Sequence, residues 1–235
     1  MKRNVSLEEI SDGKLYGRND MVRAGCGDCR GCSACCHGMG ESIILDPYDV
    51  WRLTTQLGVP FAELMSDRVE LHVVDGIILP NLKMDRKTGA CGFLTEEGRC
   101  GIHAHRPGIC RLFPLGRYYE KREAEHSTFR YFLQVHECPL PNKTKVKVGK
   151  WVDTPYLERY ESYIIVWHDF LEEVGEHLPQ LSDEQVKNVN LFLLKLFFLK
   201  GYGAEDFYPQ FEERMQMARD TLEDVLSLPV IPHLH

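Results

Sequence analysis

Long apolar segments and an excess of positive charge are both missing from this 235-residue sequence. Its longest apolar run, residues 191–199, is interrupted by Lys195 and is far shorter than the about 20 residues needed to cross a bilayer. The first residues also lack the apolar stretch of a secretory signal. The formal net charge of −7 argues against a general binder of nucleic acids or anionic membranes. We therefore expect a cytoplasmic protein with neither a nucleic acid nor a membrane as its partner.

Well-known catalytic motifs are missing as well. The sequence has no His-Glu-x-x-His, no P-loop, no Gly-x-Ser-x-Gly and no Cys-x2-Cys-His for haem attachment. Asp46 and Asp49 have the position of helix-start residues, not of a paired-carboxylate site. Catalytic residues are therefore not predicted, and the sequence leaves open whether the protein is an enzyme.

Cysteine is the residue type that stands out. All nine cysteines lie between Cys26 and Cys138, and five of them fall within the eleven positions 26–36. Buried cysteines often serve as small apolar residues, but packing does not explain such clustering. A disulfide framework would leave one of nine thiols unpaired, and a reducing compartment favours metal ligation instead. The cysteines therefore predict a metal-binding protein.

The spacing of the first cysteines bears on which metal is bound. A Cys-x2-Cys step brings two thiolates to one side of a tight turn, and the segment 26–36 repeats this step. Repeated steps of this kind, with a remote Cys-Pro such as Cys138-Pro139, are typical of [4Fe–4S] ferredoxins. Zinc also accepts four thiolates, so ligand type alone does not separate the two metals. The spacing favours an iron–sulfur cluster over zinc.

Cys35 and Cys36 are neighbours in sequence, which limits how they can share a metal. In extended backbone, successive side chains point to opposite faces, so we expect these two to serve different centres, or one of them not to be a ligand. Nine cysteines would then divide into four, four and one.

Hydrophobic periodicity predicts an α+β protein in which short strands precede a helical region. Asp-Gly at 75–76 is typical of a hairpin turn, and we expect further hairpins at 91–102 and 118–135 and a lysine-protected edge strand at 143–148. Three amphipathic helices are predicted from Pro155 onward, the second with a Ser182/Gln185 capping box and a buried run at 191–199. We predict a lead-in at 1–25, a cysteine-cluster metal-binding domain at 26–140 and a three-helix subdomain at 150–228.

The combined motifs resemble those of the YkgJ-type cysteine-cluster family. The segments that carry the resemblance are Cys29-x2-Cys32-x2-Cys35-Cys36, residues 43–53, Cys91-Gly-Phe-Leu, Cys100-Gly-Ile-His, residues 106–114 and Cys138-Pro139. This family is described as a zinc- or iron-chelating CxxCxxCC domain. The resemblance implies that the metal ligands are Cys29, Cys32, Cys35, Cys36, Cys91, Cys100, Cys110 and Cys138. Cys26 lies upstream of the family pattern, as a spare thiol or an alternative ligand.

Arginines and histidines accompany the cysteines. A four-thiolate cluster carries about −2 in charge, so Arg106 and Arg111, with Arg117 nearby, would stabilise the cofactor beside Cys110 and raise its reduction potential. The alternative is that Arg106 caps a turn or pairs with an acid such as Glu97. Four histidines adjoin cysteines, and second-shell hydrogen bonding is expected of them more than ligation; they are His37, His103, His105 and His136.

Three functions are compatible with these observations. The first is an iron–sulfur protein with a redox or electron-transfer role and an unknown protein partner. The second is a zinc protein in which the metal is structural and the surface binds a partner. The third is a methyltransferase, because flagellin lysine N-methylases carry a similar cysteine cluster, although the cofactor loop expected of such an enzyme is not recognisable. Four-thiolate sites lack the open coordination position used in metal catalysis, so direct Lewis-acid chemistry is not favoured.

Overall fold

The computed structural model describes residues 6–27, 32–120, 126–141 and 143–226. It contains 46% helix and 22% strand, with its cysteines in the N-terminal half and helices in the C-terminal region. This arrangement confirms the predicted α+β class.

Within the described ranges, seven strands form three small antiparallel sheets. The first sheet has the order β1–β6–β5, the second pairs β2 with β7, and the third pairs β3 with β4. The strand bounds are Ser11–Tyr16 (β1), Met21–Gly25 (β2), Val69–Val74 (β3), Ile77–Leu82 (β4), Leu115–Glu120 (β5), Thr128–Gln134 (β6) and Thr144–Lys147 (β7).

Two of the three predicted hairpins have regular strands. Asp75 and Gly76 join β3 to β4 with φ angles of 50° and 87°, the left-handed geometry that an Asp-Gly turn adopts readily. The pairing of β5 with β6 and the lysine-rich edge strand β7 are also as predicted. At 91–102 the chain turns back on itself as predicted, but the two arms are joined only by the antiparallel bridge between Leu94 and Cys100 and the backbone hydrogen bonds beside it, without regular strands.

Eight α-helices accompany the strands in the described chain. Local capping defines several of them: Asp46 caps α2, Ser182 caps α7 through Gln185, and Gly58 ends α2 at a φ of 67°. The bounds are Leu7–Ile10 (α1), Pro47–Leu57 (α2), Phe61–Asp67 (α3), Gly108–Leu112 (α4), Val148–Val152 (α5), Leu157–His177 (α6), Asp183–Leu194 (α7) and Phe207–Leu226 (α8).

The three C-terminal helices are present, with differences in detail. Pro155 does not start α6, which begins two residues later after Tyr156 in a left-handed conformation. Helix α7 passes directly into a π-helical segment, Lys195–Leu199, before the chain reaches Gly201. Leu191 and Leu199 are about half exposed, so the run 191–199 is buried on one side rather than all round.

The main hydrophobic core is built largely from aromatic side chains. Helices α2, α6 and α8 meet there, with the hairpin β3–β4 and the π-helical segment packed against them. Phe170, Phe197 and Phe207 are completely buried in this core. Residues of both the predicted 26–140 and 150–228 segments take part in the same core, while the division into three domains stays a prediction. In the described part of the chain, helices of the length and apolar character needed to cross a membrane do not occur.

Candidate metal centre

Six cysteines line a single cavity of about 800 Å³. The cavity opens beside strand β5, helix α4 and the loops between residues 32 and 42 and between residues 83 and 107, which we call the cysteine loops. The six are Cys32, Cys35, Cys36, Cys91, Cys100 and Cys110. Segments that are distant in sequence therefore bring most of the predicted ligands to one place.

Cys35 and Cys36 lie in a 3-10 turn, Ala34–Cys36, closed by the Cys36 amide, which donates to the Ser33 carbonyl at 2.8 Å. Their thiols hydrogen-bond to each other. The expectation of an extended backbone with the two side chains on opposite faces is therefore wrong. The backbone geometry therefore gives no reason to assign the two cysteines to different metal centres. The number of centres in the chain stays a prediction.

The hydrogen bond between these two thiols shifts their pKa values in opposite directions. The hydrogen bond from Cys36 lowers the pKa of Cys35 to about 6, against the effect of burial, and the positive charge of Arg106 adds to the lowering. The same hydrogen bond, together with burial, raises the pKa of Cys36. Cys35 is thus held as a thiolate, the form in which cysteine binds a metal.

Cys91 is fastened to the Cys35–Cys36 turn through the backbone. Its amide donates to the Cys36 carbonyl at 2.7 Å, and antiparallel bridges join His37 to Ala90 and Met84 to Cys91. Cys100 follows in the next turn, bridged to Leu94. Backbone hydrogen bonds thus hold the two cysteine loops together where four of the cysteines meet.

The position of Cys110 is set by a contact between helices α4 and α2 rather than by the cysteine loops. It lies on the short helix α4, whose first amide, that of Gly108, donates to the Asp49 carboxylate at 2.8 Å. Asp49 and Asp46 form a reciprocal capping box at the start of α2, which confirms that they are helix-start residues. One carboxylate therefore joins the start of α2 to the helix that carries Cys110.

Burial works against ionisation of the other thiols. It is the largest cause of the raised pKa values of Cys91, Cys100 and Cys110, and the proximity of further thiols raises them more. Arg106 acts in the opposite direction on Cys100. A divalent or clustered metal would supply the positive charge that these cysteines need in order to bind as thiolates.

The arginines singled out from the sequence separate into two groups. Arg106 lines the cavity, and its Nη1 lies 2.8 Å from Nε2 of His103, which also lines it. Arg111 is buried and does not line the cavity. Its guanidinium donates to the carbonyl oxygens of Arg106 at 2.9 Å and Asp153 at 2.6 Å, which ties α4 to the start of the helical region. A tuning role for Arg111 stays a prediction. Arg106 is the better candidate for that role, because its positive charge favours the thiolate forms of Cys35 and Cys100.

Two of the described cysteines, Cys26 and Cys138, stand apart from the cavity lining. Cys26 follows β2, and Cys138 lies in the loop where the Lys143 ammonium donates to its carbonyl at 2.9 Å. Cys29 lies outside the described residues. None of the eight described cysteines forms a disulfide.

The donor chemistry of the cavity fits zinc or iron. Thiol sulfurs dominate the lining, and soft thiolates are the ligands that zinc and iron–sulfur clusters share. As they stand, the described side chains include no group of three or more His, Cys, Asp or Glu residues close enough to hold one metal ion.

The cavity also has a wall that the sequence did not predict. His168 and Glu172, one turn apart on α6, and Tyr119 on β5 line it with Arg117. Helix α6 lies far from the cysteines in sequence and carries no metal-ligand spacing, so only the tertiary fold reveals this wall. Arg117 alone of the four drew attention beforehand, through its proximity to Cys110.

Residues 28–139 match a family model, CxxCxxCC, described as "Putative zinc- or iron-chelating domain". No curated protein and no solved structure matches the chain. The match covers the six cavity cysteines as well as Cys29 and Cys138, and leaves out Cys26. The match supports metal binding by this region, with zinc or iron as the metal, and makes residues 28–139 similar to the CxxCxxCC family.

Proposed function

We propose that the protein binds an iron–sulfur cluster, of the [4Fe–4S] type, through cysteine thiolates in the cavity and uses it to transfer electrons to or from a protein partner in the cytoplasm. The observation that carries this proposal is the convergence of six cysteines on one cavity. A [4Fe–4S] cluster and a structural zinc site each take four thiolates, so the cavity can supply either, and the repeated Cys-x2-Cys spacing favours the cluster.

The proposed ligands come from two sources. The six lining cysteines form the pool from which the cluster ligands are drawn, and the family pattern adds Cys29 and Cys138. Within the pool, Cys35 is the thiol already held ionised, because Cys36 and Arg106 both favour its negative charge. Cys35 is therefore the expected first ligand.

The surrounding residues prepare the site for a negatively charged group. Arg106 lines the cavity and favours the thiolate forms of Cys35 and Cys100, so it would raise the reduction potential of a bound cluster. Asp49 fixes the position of Cys110 through Gly108. The cluster, when bound, supplies one-electron redox chemistry; the chain's own task is to hold it and to keep it from water.

The second candidate is a structural zinc site. The family description names zinc beside iron, and four thiolates from the same cysteines would satisfy tetrahedral zinc. The methyltransferase alternative has only the distant resemblance of its cysteine cluster in its favour.

Metal analysis of protein purified under argon separates these candidates. We expect iron and acid-labile sulfide in equal amounts, with a broad absorption at about 400 nm that bleaches on reduction with dithionite. Zinc without sulfide would replace this proposal by the zinc alternative. Folded protein with neither metal would contradict both.

A pair of matched variants then tests the ligands. Cys91→Ser removes a cavity cysteine, and we expect it to lose most of the iron and the visible absorption. Cys26→Ser serves as its control, because Cys26 neither lines the cavity nor belongs to the matched region. Equal metal content in the two variants would contradict the placement of the centre in this cavity.

A further inference from the structure

The cavity is larger than a metal centre requires. Its volume of about 800 Å³ lies in the range of small-molecule binding sites, about 300–1,000 Å³. Cysteines form only part of its lining. The remainder includes apolar side chains, among them Ile43, Leu82 and Phe132, and a polar stretch that we call the β5–α6 wall: Arg117, Tyr119, His168 and Glu172.

Arg117 is the charged centre of this wall. Its Nη2 lies 3.4 Å from the Tyr160 hydroxyl, and its guanidinium carbon lies 5.5 Å from the ring centre of Phe129 and 5.6 Å from that of Tyr160. Its Nε is buried and has no hydrogen-bond partner. Within the described chain, carboxylates do not come within ion-pairing distance of this guanidinium. Such a cation retains donors for an anion, and Arg binds carboxylates in a two-pronged geometry.

The three arginines that line the cavity act on different groups. Arg106 favours the thiolate forms of Cys35 and Cys100, and Arg99 acts on Cys100 in the same direction. Arg117 instead acts on the tyrosines Tyr119, Tyr131 and Tyr160, and its charge also opposes the rise that burial causes in the pKa of the Asp46 carboxyl. Its charge is therefore directed at these groups rather than at the cavity thiols.

His168 is held in a fixed orientation beside Arg117. Its ring stacks on that of Tyr119 with 3.6 Å between centres and 6° between planes, and its Nδ1 lies 3.4 Å from the Asp169 carboxylate. Asp169 is itself held by the Ser127 amide, which donates to it at 3.0 Å. Tyr119 in turn hydrogen-bonds to Arg117. Ring stacking and hydrogen bonds thus hold the polar side chains of the wall in fixed positions, as a binding site requires.

We propose that the β5–α6 wall binds the carboxylate of a small organic acid through Arg117, with the acid's hydrocarbon part lying against the apolar lining of the cavity. The proposal goes beyond the metal site, and it stands whether the metal is iron or zinc. The carboxylate supplies the acceptor that Arg117 lacks, and the apolar lining accounts for the affinity of the hydrocarbon part. Glu137 and Glu172 also line the cavity, so the acid's charge must lie on the Arg117 side.

Isothermal titration of the metal-loaded full chain with octanoate tests this proposal, with octan-1-ol as the neutral comparison. We expect octanoate to bind at least about tenfold more tightly than octan-1-ol, because the ion pair forms only with the acid. Arg117→Gln should weaken octanoate binding by at least about tenfold and leave octan-1-ol unaffected. Arg130→Gln is the matched control: Arg130 lies on the neighbouring strand β6 in an exposed ion pair with Glu120 and should leave both affinities unchanged.

Arg117→Lys keeps the positive charge and provides a second test if Arg117→Gln fails to fold. It should retain more octanoate affinity than Arg117→Gln. Equal affinity of the wild type for octanoate and octan-1-ol, or no binding of octanoate, would overturn the proposal. Unchanged octanoate affinity in folded Arg117→Gln would also overturn it. Iron, zinc and sulfide are measured on each sample, so loss of the metal site is seen separately from loss of acid binding.

Discussion

The helical core and the cysteine loops are held together in different ways. Around α6, α7 and α8, aromatic rings such as Trp167, Phe197 and Phe211 contact one another and are shielded from water. In the cysteine loops, the buried apolar side chains among the residues described there are Ile102 and Pro107. Isolated bridges and 3-10 turns replace regular elements in these loops. Apolar burial thus stabilises the first region, whereas in the second we expect metal ligation to add to the backbone hydrogen bonds.

The largest expected effect comes from removing the metal. We expect amide exchange in residues 83–107 to become at least about tenfold faster after anaerobic treatment with a chelator, because ligation contributes directly to the stability of such loops. Exchange in α6–α8 should stay within about twofold of its original rate. Hydrogen–deuterium exchange with mass spectrometry provides the measurement. Unchanged protection in the loops would show that they hold together without a metal.

Phe197→Ala makes the reverse test in the helical core. Phe197 is completely buried, with ring centres at 4.9 Å from Trp167 and 5.9 Å from Phe170. We expect the free energy of unfolding to fall by about 3–5 kcal/mol, measured by urea denaturation. Leu199→Ala, in the same π-helical segment but about half exposed, should cost less than about 1 kcal/mol. Similar losses in the two variants would contradict the burial described here.

Gly108→Ala tests the boundary between the two regions. A Cβ atom at this position would lie on the Tyr160 hydroxyl, so α4 or α6 must shift. We expect a loss of about 1–3 kcal/mol in the free energy of unfolding and a lower metal content, since Cys110 lies on α4. Gly201→Ala is the control, because a Cβ there meets open space. A metal content equal to that of the wild type would show that the ligands tolerate movement of α4.

The smallest effect concerns Asp169 and depends on pH. Partial burial alone would raise its pKa, but hydrogen bonds from His168 and Ser127 lower it to about 2. In the unfolded chain the pKa is about 3.9. The ionised carboxylate therefore stabilises the fold above about pH 4, and this contribution is lost as the pH falls towards 2.

Asp169→Asn should consequently cost about 1 kcal/mol at pH 6, the value of a typical hydrogen bond, and less at pH about 2.5. Urea denaturation at the two pH values measures the difference. Asp220→Asn, at an exposed position on α8, should show little dependence of this kind. An Asp169→Asn penalty that grows towards low pH would contradict the pairing with His168.

Features governed by local sequence were predictable. The Asp46 and Ser182 caps, the Asp75-Gly76 turn and the lysines of β7 depend on residues within a few positions of one another. Cysteine spacing predicted metal binding for the same reason, because Cys-x2-Cys steps are local. Pro155 misled because Tyr156 adopts a left-handed conformation, so that α6 begins only at Leu157.

Features set by tertiary contacts were not predictable. The 3-10 turn that brings the Cys35 and Cys36 thiols together is stabilised by the backbone bond to Cys91, more than fifty residues away. His168 is oriented by Asp169, its neighbour on α6, and by Tyr119 on β5. This helix and this strand come together only in the folded chain. In the sequence, Arg111 lies next to Cys110, a predicted metal ligand. In the structure, its guanidinium donates to backbone carbonyl oxygens instead.

The carboxylate of Asp49 has a consequence for how the metal site assembles. Because this group serves both the first turn of α2 and the first amide of α4, Cys110 reaches its place only in a chain whose core has already closed. A short peptide that contains the first five cysteines would accordingly lack this coordinating thiol and the frame that presents it. If Cys110 is a ligand, the complete metal site exists only in a chain whose helices α2 and α4 are docked on each other.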